Sequence, residues 1–183
     1  MTNPLLDDWD TPFQVPPFAK ITAADFAPAL DIAMQDDLAK IDAIGQNPRP
    51  ATFANTIEAL ETTSELMHKV LSPFYAMAGA HTNSELDALM REFSPKLAAH
   101  GAKISGNKAL FQRIETLWNS KDTLGLSEEQ MMLLKDQYLG FVRSGAALTG
   151  EAEARLTEIK SRLSVLCTTF TQNVLADERD WVM

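Results

Sequence analysis

The chain has 183 residues, a formal net charge of −9 and a single cysteine, Cys167. An acidic chain is poorly suited to neutralising phosphates, so we expect no nucleic-acid partner. One cysteine cannot form an internal disulfide, which fits a reducing compartment. No run of about 18 apolar residues is present, and acidic residues stand near the N-terminus where a secretory signal needs basic ones. We therefore expect a cytoplasmic protein with no membrane partner.

Residues 1–20 are rich in proline and in large apolar side chains. Proline fixes φ, removes a backbone donor and biases the residue before it to extended geometry. The prolines of this segment are Pro4, Pro12, Pro16 and Pro17. The apolar residues of the segment, too many for a free tail, are Leu5, Leu6, Trp9, Phe13 and Phe18. We therefore expect residues 1–20 to form an extended arm that packs on the body of the protein.

The first helix is predicted to begin at Thr22, because Asp25 three residues later completes a capping box. Apolar residues then recur at helical spacing, at Leu30, Met34, Leu38 and Ile41. Gly45 predicts the end of this helix, and the proline-rich residues 47–50 predict a linker.

Two further helix starts are indicated by a polar residue followed three positions later by an acid. Asn55 with Glu58 predicts the second start, and Thr82 with Glu85 predicts the third. Pro73 interrupts the apolar pattern of the second helix. We therefore expect a kink or break one to two residues before this proline.

Three more helices follow. A shorter helix is predicted over residues 107–118, and Ser127 with Gln130 predicts the start of the fifth helix. Gly145 indicates a helix end or a point of close packing, and the last helix is predicted to start near residues 149–150. The apolar positions of this last helix are Leu156, Ile159, Leu163, Leu166, Phe170 and Val174.

The steps of three and four residues between these positions resemble a coiled-coil seam. In a single domain such a seam usually packs on an antiparallel neighbour. Nothing between residues 20 and 176 shows sustained period-two alternation. The sequence therefore predicts an all-α fold, with about six helices in an irregular antiparallel bundle over residues 21–183, preceded by the arm.

The three histidines are the first candidates for metal chemistry. Glu65 and His68 are spaced to share one helix face, as in di-iron bundles, but the other two histidines lack a Glu at the required place. A solvated pair is therefore the favoured interpretation. His81 and His100 could also meet at a metal. Without a further ligand at suitable spacing, we interpret them as helix-terminal polar residues.

Cys167 is the candidate nucleophile. It lies between Leu163 and Phe170 on the last helix, and no histidine is near it in sequence. A nucleophilic cysteine needs a nearby base and a lowered pKa. We therefore interpret Cys167 as a core residue, and we assign no catalytic, cofactor-binding or metal-binding residue to this sequence.

Several short motifs resemble one enzyme family in their order and spacing. They are Asn3-Pro4-Leu5-Leu6, Thr11-Pro12-Phe13, Phe53-Ala54-Asn55-Thr56-Ile57-Glu58, Ala80-His81-Thr82-Asn83 and Asn173-Val174-Leu175. Together they look like the N-terminal region of the thimet-oligopeptidase family of zinc metallopeptidases. Within this family they resemble peptidyl-dipeptidase and oligopeptidase A. The resemblance covers the chain from Asn3 to about Glu178.

This resemblance implies a mostly helical peptidase with a deep channel that admits short peptides. The family binds zinc through a His-Glu-x-x-His motif, and none of the three histidines here is followed by Glu. The resemblance therefore implies that zinc belongs to the catalytic region of a longer parent protein. This chain would form a wall of the substrate channel, with that catalytic region and short peptides as its partners, and would be inactive alone.

Two other functions stay open. A stand-alone helical protein-interaction module without catalysis fits a native gene that stops at Met183, and a di-iron bundle would hold stoichiometric iron. Residues 176–183 carry no glycine stop and would leave Trp181 and Val182 at a raw end, which favours a chain that continues. If the chain is a fragment, it should expose apolar surface and self-associate.

Overall fold

A computed structural model of the protein describes residues 3–180, and every regular element among them is helical. In chain order the elements are a 3₁₀ turn (Pro12–Gln14), α1 (Ala23–Gly45), a π-helical segment (Phe53–Glu58), α2 (Ala59–Glu61), α3 (Glu65–Ala80), α4 (Ser84–Ser105), α5 (Lys108–Asn119), a second 3₁₀ turn (Lys121–Thr123), α6 (Glu128–Ser144) and α7 (Glu151–Asp180). The prediction of an all-α fold with about six substantial helices is confirmed. No helix within residues 3–180 is long and apolar enough to cross a membrane.

The helix α1 begins and ends where the sequence predicts. Thr22 is its N-cap, and the Asp25 carboxylate accepts hydrogen bonds of 2.7 Å from both the backbone N–H and the hydroxyl of Thr22. Gly45 at the other end does not adopt a left-handed conformation. A Cβ atom built on it would lie 3.1 Å from the backbone nitrogen of Leu110, so this glycine lets α5 approach α1 closely.

The buried face of α1 is rotated from the predicted stripe. Met34 and Leu38 are only half-buried. The residues that are buried are Phe26, Ala29, Leu30, Ala33, Asp37, Ile41 and Ile44. The predicted stripe is therefore correct at Leu30 and Ile41 and wrong at Met34 and Leu38. The small Ala33 and the charged Asp37 gave no hydrophobic signal, so the pattern followed the larger side chains one position later.

The second helical start lies three residues earlier than predicted. The Thr52 hydroxyl accepts a hydrogen bond of 3.1 Å from the backbone N–H of Asn55, and Asn55 Oδ1 accepts one of 2.9 Å from the backbone N–H of Thr52. Asn55 therefore closes the capping box instead of opening it. The predicted box between Asn55 and Glu58 is wrong, because the true partner lies on the N-terminal side.

The helical structure is interrupted at residues 62–64 and not before Pro73. α2 ends at Glu61, a turn follows, and α3 continues through Pro73 to Ala80. The predicted position of the break is therefore wrong. The helix tolerates the missing proline N–H because Val70, Pro73 and Phe74 are buried and hold this turn within the packed body.

The helix α4 starts one residue later than predicted. Asn83 is its N-cap, and the Asn83 side chain accepts hydrogen bonds from the backbone N–H groups of Glu85 and Leu86 at 3.0 and 2.9 Å. Thr82 instead donates its hydroxyl to Asp87 at 2.7 Å. An asparagine and a threonine in succession are equivalent as sequence signals, and the backbone geometry selects between them.

The starts of α5 and α6 and the end of α6 agree with prediction. Asn107 caps α5 by accepting from the N–H of Leu110 at 3.0 Å. Ser127 and Gln130 form the capping box of α6. Gly145 ends α6 in the left-handed region with φ of 93°, a conformation that glycine adopts without the steric cost of a side chain.

The body of the protein, which is α1–α6 with the arm, has two hydrophobic cores. The first core consists of Leu5, Ile21, Phe26, Ala29, Leu30, Ala33, Met67, Val70, Phe74, Leu86 and Phe93. The second core consists of Ile41, Ile44, Phe53, Ile57, Leu110, Phe111, Ile114, Leu117, Leu134 and Phe141. Of the described elements, α1 alone contributes buried residues to both cores. It therefore joins an assembly of the arm, α3 and α4 to one of the π-helical segment, α5 and α6.

The arm is held to the body near its start and projects at its tip. Leu5 is fully buried in the first core. Lys69 of α3 donates to the backbone carbonyl of Asp7 at 2.6 Å, and its ammonium lies 5.1 Å from the centre of the Trp9 ring. At the first 3₁₀ turn, Phe13 is 99% exposed and has a left-handed φ of 57°.

The contacts of α7 with the body that the structure describes come from its first turns. Lys108 of α5 pairs with Glu153 at 3.0 Å, and Lys160 donates to the carbonyl of Ser144 at 2.9 Å. Leu156 packs directly over Gly145, where a Cβ atom would collide with it. These contacts dock the N-terminal end of α7 on the start of α5 and the end of α6.

Beyond this base the apolar side chains of α7 face solvent. Five of them, between 40% and 70% exposed, form what we name the α7 seam: Ile159, Leu163, Leu166, Phe170 and Val174. The predicted antiparallel neighbour is not found among residues 3–180, so that prediction is wrong for the described chain. Trp181 and Val182 lie outside the described residues.

Candidate functional site

Glu65 and His68, the pair with the spacing of a di-iron motif, are both exposed on α3. Within the described part of the chain, no group of three or more His, Cys, Asp or Glu side chains is placed to hold a metal ion. The di-iron hypothesis therefore gains no support from the arrangement of these residues.

The two remaining histidines lie in different environments. His81 is exposed at the C-cap of α3, at the helix end where the sequence places it. His100 lies inside α4 and is only 7% exposed, so its interpretation as a helix-terminal polar residue is wrong. Its partner, Asp37, is 63 residues away in sequence, and no local pattern could reveal that contact.

Asp37, Ser64 and His100 form a polar cluster where the two cores meet. His100 Nε2 lies 2.7 Å from Asp37 Oδ2, and the Ser64 hydroxyl donates to Asp37 Oδ1 at 3.1 Å. Asp37 is 1% exposed and stands on the buried face of α1 between the two cores. Ser64 comes from the turn before α3, and His100 comes from α4. The cluster therefore ties three elements together at the middle of α1.

The order of these hydrogen bonds is not that of a nucleophilic triad. In a Ser–His–Asp triad the histidine lies between the other two and accepts the serine proton. Here the carboxylate occupies the middle position, and Ser64 donates to it. No histidine accepts the proton of the Ser64 hydroxyl in the described structure. The arrangement satisfies both oxygens of a buried carboxylate, which is a structural task.

The imidazole of His100 is held through one nitrogen. A carboxylate partner assigns the ring proton to Nε2. Nδ1 is buried, and it has no hydrogen-bond partner among the described residues. The ring is therefore oriented by Asp37 and by its packing alone.

Arg113 is a second buried polar group that sequence analysis did not single out. Its guanidinium donates to the carbonyls of Asn47 and Arg49, both at 2.9 Å, and to Asn55 Oδ1 at 2.8 Å. One planar fork thus holds the linker after α1 and the start of the π-helical segment against α5. A lone arginine on an amphipathic helix carries no sequence signal for such a role.

Lys96 links α4 to α1 on the surface. Its ammonium lies 2.9 Å from the carboxylates of both Glu92 and Asp31. Hydrogen bonds to Glu92 and then to Asp31 raise the pKa of Lys96 above its ordinary value of 10.5. A lysine whose pKa is raised stays charged at neutral pH and is unsuited to act as a base. It borders a groove of about 350 Å³ between the two helices, which His100 also lines.

Cys167 is exposed on α7 and forms no disulfide, so its interpretation as a core residue is wrong. The reason is the same as for the α7 seam, because no helix among residues 3–180 covers this part of α7. Half of the large apolar side chains that are exposed among the described residues lie on α7. Within the described residues, the seam is therefore the surface with the strongest character of an interface.

The sequence is similar over nearly its whole length to known peptidases. It is 39% identical over 175 residues to the dipeptidyl carboxypeptidase of Salmonella typhimurium, which covers 96% of this chain and 26% of that protein. It is 26% identical over 181 residues to oligopeptidase A of Escherichia coli, with 99% and 26% covered. It is 25% identical over 174 residues to an organellar oligopeptidase A of Arabidopsis thaliana, with 95% and 21% covered. The chain thus spans about a quarter of the length of these relatives. No protein-family model matches the sequence.

Proposed function

Because this chain is homologous to peptidases of the thimet-oligopeptidase family, we propose that it is the N-terminal helical part of a longer enzyme that hydrolyses oligopeptides. The observation that carries the proposal is the 39% identity to a dipeptidyl carboxypeptidase over 96% of the chain. In that enzyme the chain forms a wall of the substrate channel. Its partners are the catalytic region on the remaining polypeptide and short peptide substrates, and its location is the cytoplasm.

The proposed enzyme uses zinc that is bound outside this chain. A catalytic zinc site needs three protein ligands and an open position for water. None of the three histidines here precedes a Glu, and the described residues hold no cluster of three potential ligands. The residues that bind zinc and activate water therefore belong to the remaining polypeptide. This chain contributes to the shape of the substrate channel, and the 183 residues alone do not hydrolyse peptides.

Two features of the body suit it to the role of a wall. Its buried polar groups, Asp37, His100 and Arg113, are engaged in cross-linking elements and leave no reactive constellation. Its two cores share α1, which makes the body a continuous packed unit. A rigid helical wall selects substrates by excluding chains too bulky to enter, with no chemistry of its own.

The test compares the 183-residue chain with the product of the complete gene on a quenched fluorescent oligopeptide. We expect hydrolysis by the complete product, loss of hydrolysis with a chelator and recovery on adding Zn²⁺. The 183-residue chain should be inactive throughout. The matched control is the complete product with Glu replaced by Gln in its His-Glu-x-x-His motif. Zinc-dependent hydrolysis by the 183-residue chain, or a gene that stops at Met183, would overturn the proposal.

A second function, a helical interaction module without catalysis, is favoured by the exposed α7 seam. A face of this kind on a complete protein recruits another chain. This function predicts a gene that ends at Met183 and a stable complex with a separate protein. The first function predicts a gene that continues and a seam that is covered within one polypeptide.

A further inference from the structure

Basic side chains border the α7 seam on both sides. With 100° between successive residues of a helix, Arg155 and Arg162 fall along one edge of the seam, and Lys160 falls along the other. All three are exposed. The acidic residue of this stretch, Glu158, lies farther around the helix and pairs with Arg155 at 2.5 Å. The edges of the seam therefore carry basic side chains, of which Arg155 pairs with Glu158 and Lys160 also donates to the Ser144 carbonyl, and the sequence has no acidic residue between positions 159 and 174.

A second copy of α7 offers no acidic residues to pair with the basic residues at these edges. In a parallel pair in register, Arg155 of one helix would approach Lys160 of the other, because these positions face each other across a coiled-coil seam. In an antiparallel pair centred on the seam, the basic residues would face Cys167 and Thr169, which are not acidic. Two copies would gain apolar contact without charge pairing.

We propose that the α7 seam binds an amphipathic helix whose apolar stripe is flanked by acidic residues, and that this helix is part of the remaining polypeptide. The source of the helix rests on the proposed function. Its chemistry rests on α7 alone, because opposite charges at the edges of a seam select the partner and its orientation. The relatives are long enough to supply it, since the matched stretch is 26% of their length.

The test uses two synthetic peptides as probes. Both carry the same leucine heptads, and they differ in having Glu or Lys at the positions that flank the stripe. Binding to the 183-residue chain is measured by fluorescence anisotropy at low and high salt. We expect the Glu peptide to bind about tenfold more tightly at low salt, with the difference shrinking as salt screens the charges.

Two variants and a control locate the effect. Arg162→Glu should abolish or invert the preference for the Glu peptide, whereas Lys135→Glu, a matched reversal on the exposed face of α6, should leave it unchanged. Leu166→Glu should weaken both peptides, because it interrupts the apolar stripe. Circular dichroism of each variant establishes that the helices remain formed.

Each outcome decides the proposal. Equal affinity for the two peptides, or a preference for the Lys peptide, overturns it. Concentration-dependent dimers that exclude both peptides assign the seam to a second copy and also overturn it. If the Glu peptide binds as expected but the complete gene product hydrolyses no peptide, the proposed function fails while the chemistry of the seam stands.

Discussion

The body of the protein and its last helix share one apolar periodicity but reach opposite environments. Phe74 in α3 is fully buried, and its ring centre lies 5.2 Å from that of Phe26 and 4.9 Å from that of Phe93. Phe170 in α7 is 70% exposed. Helical spacing therefore establishes that a face is apolar and does not establish what covers it. Among residues 3–180 no helix covers the α7 seam, whereas each body helix packs on another described helix.

The largest expected difference between the two regions comes from truncating these phenylalanines. Phe74→Ala removes a ring at the centre of the first core and leaves a cavity, so we expect a loss of about 3–5 kcal/mol in the free energy of unfolding. Phe170→Ala removes an exposed ring and should change that free energy by less than about 0.5 kcal/mol. Urea unfolding of the 183-residue chain measures both. Similar losses for the two variants would mean that α7 is covered in solution.

Self-association also tests the contrast between the exposed α7 seam and the body, whose apolar residues are buried. If the seam is exposed, light scattering of the 183-residue chain should show a weak rise of mass with concentration that the Glu peptide reverses, because a large apolar patch promotes contact between copies without charge pairing. Leu166→Glu should suppress the rise, whereas a substitution on the exposed face of the body, such as Lys135→Glu, should not. A monomer at every concentration would contradict the expectation.

A smaller loss of stability is expected at the polar cluster between the cores. Asp37→Ala leaves the buried His100 Nε2 and Ser64 hydroxyl without their acceptor, which should cost about 3 kcal/mol. The neighbouring Asp36 is the matched control, because its carboxylate is partly exposed and pairs with Lys40 on the same helix. Asp36→Ala should cost less than about 0.5 kcal/mol in the same unfolding measurement. Equal costs would show that the cluster contributes no more than a surface pair.

Alanine substitutions at Gly145, which follows α6 at the junction with α7, and at Gly140 inside α6 should change the free energy of unfolding in opposite directions. Gly145→Ala places a Cβ atom against Leu156 and forces a left-handed φ of 93°, so we expect a loss of about 1–2 kcal/mol. Gly140 lies inside α6 with open space around it, and Gly140→Ala should stabilise the protein by up to about 1 kcal/mol. Thermal unfolding of both variants gives the two signs directly. A loss at both positions would mean that α6 packs differently around Gly140.

The smallest effect concerns the surface link between α4 and α1. The pKa of Lys96 is raised above 10.5 by Glu92 and Asp31, so the folded state holds this proton more firmly than the unfolded state. The stabilisation is therefore fully present below pH 10.5 and is lost as pH rises through the higher folded value. The difference in urea midpoint between the wild type and Lys96→Met should be small and constant below pH 10.5, and should shrink above it. A difference that grows with pH would contradict this sign.

Local signals in the sequence were sufficient for most helix ends. Thr22 with Asp25 and Ser127 with Gln130 are complete within four residues, so their meaning does not depend on the rest of the fold. The wrong assignments arose where tertiary packing decides between neighbours. Pro73 is tolerated inside α3 because its surroundings are buried, which no local window records.

The candidate site was less predictable than the fold. Asp37 and His100 lie on different helices, and their contact depends on how α4 packs against α1. One signal was available, since Ala33, Asp37 and Ile41 share a helix face with a charge at its centre. A charge in an apolar register predicts a buried partner, but the sequence alone cannot choose which one.

The shared helix α1 has a consequence for how the protein is made. During synthesis from the N-terminus, α1 leaves the ribosome before any helix that covers it. Its partners in the first core extend to Phe93, and those in the second core extend to Phe141. The nascent chain can therefore complete the first core while the second half of α1 still lacks its partners from α5 and α6, and vectorial synthesis favours completion of the two cores in that order.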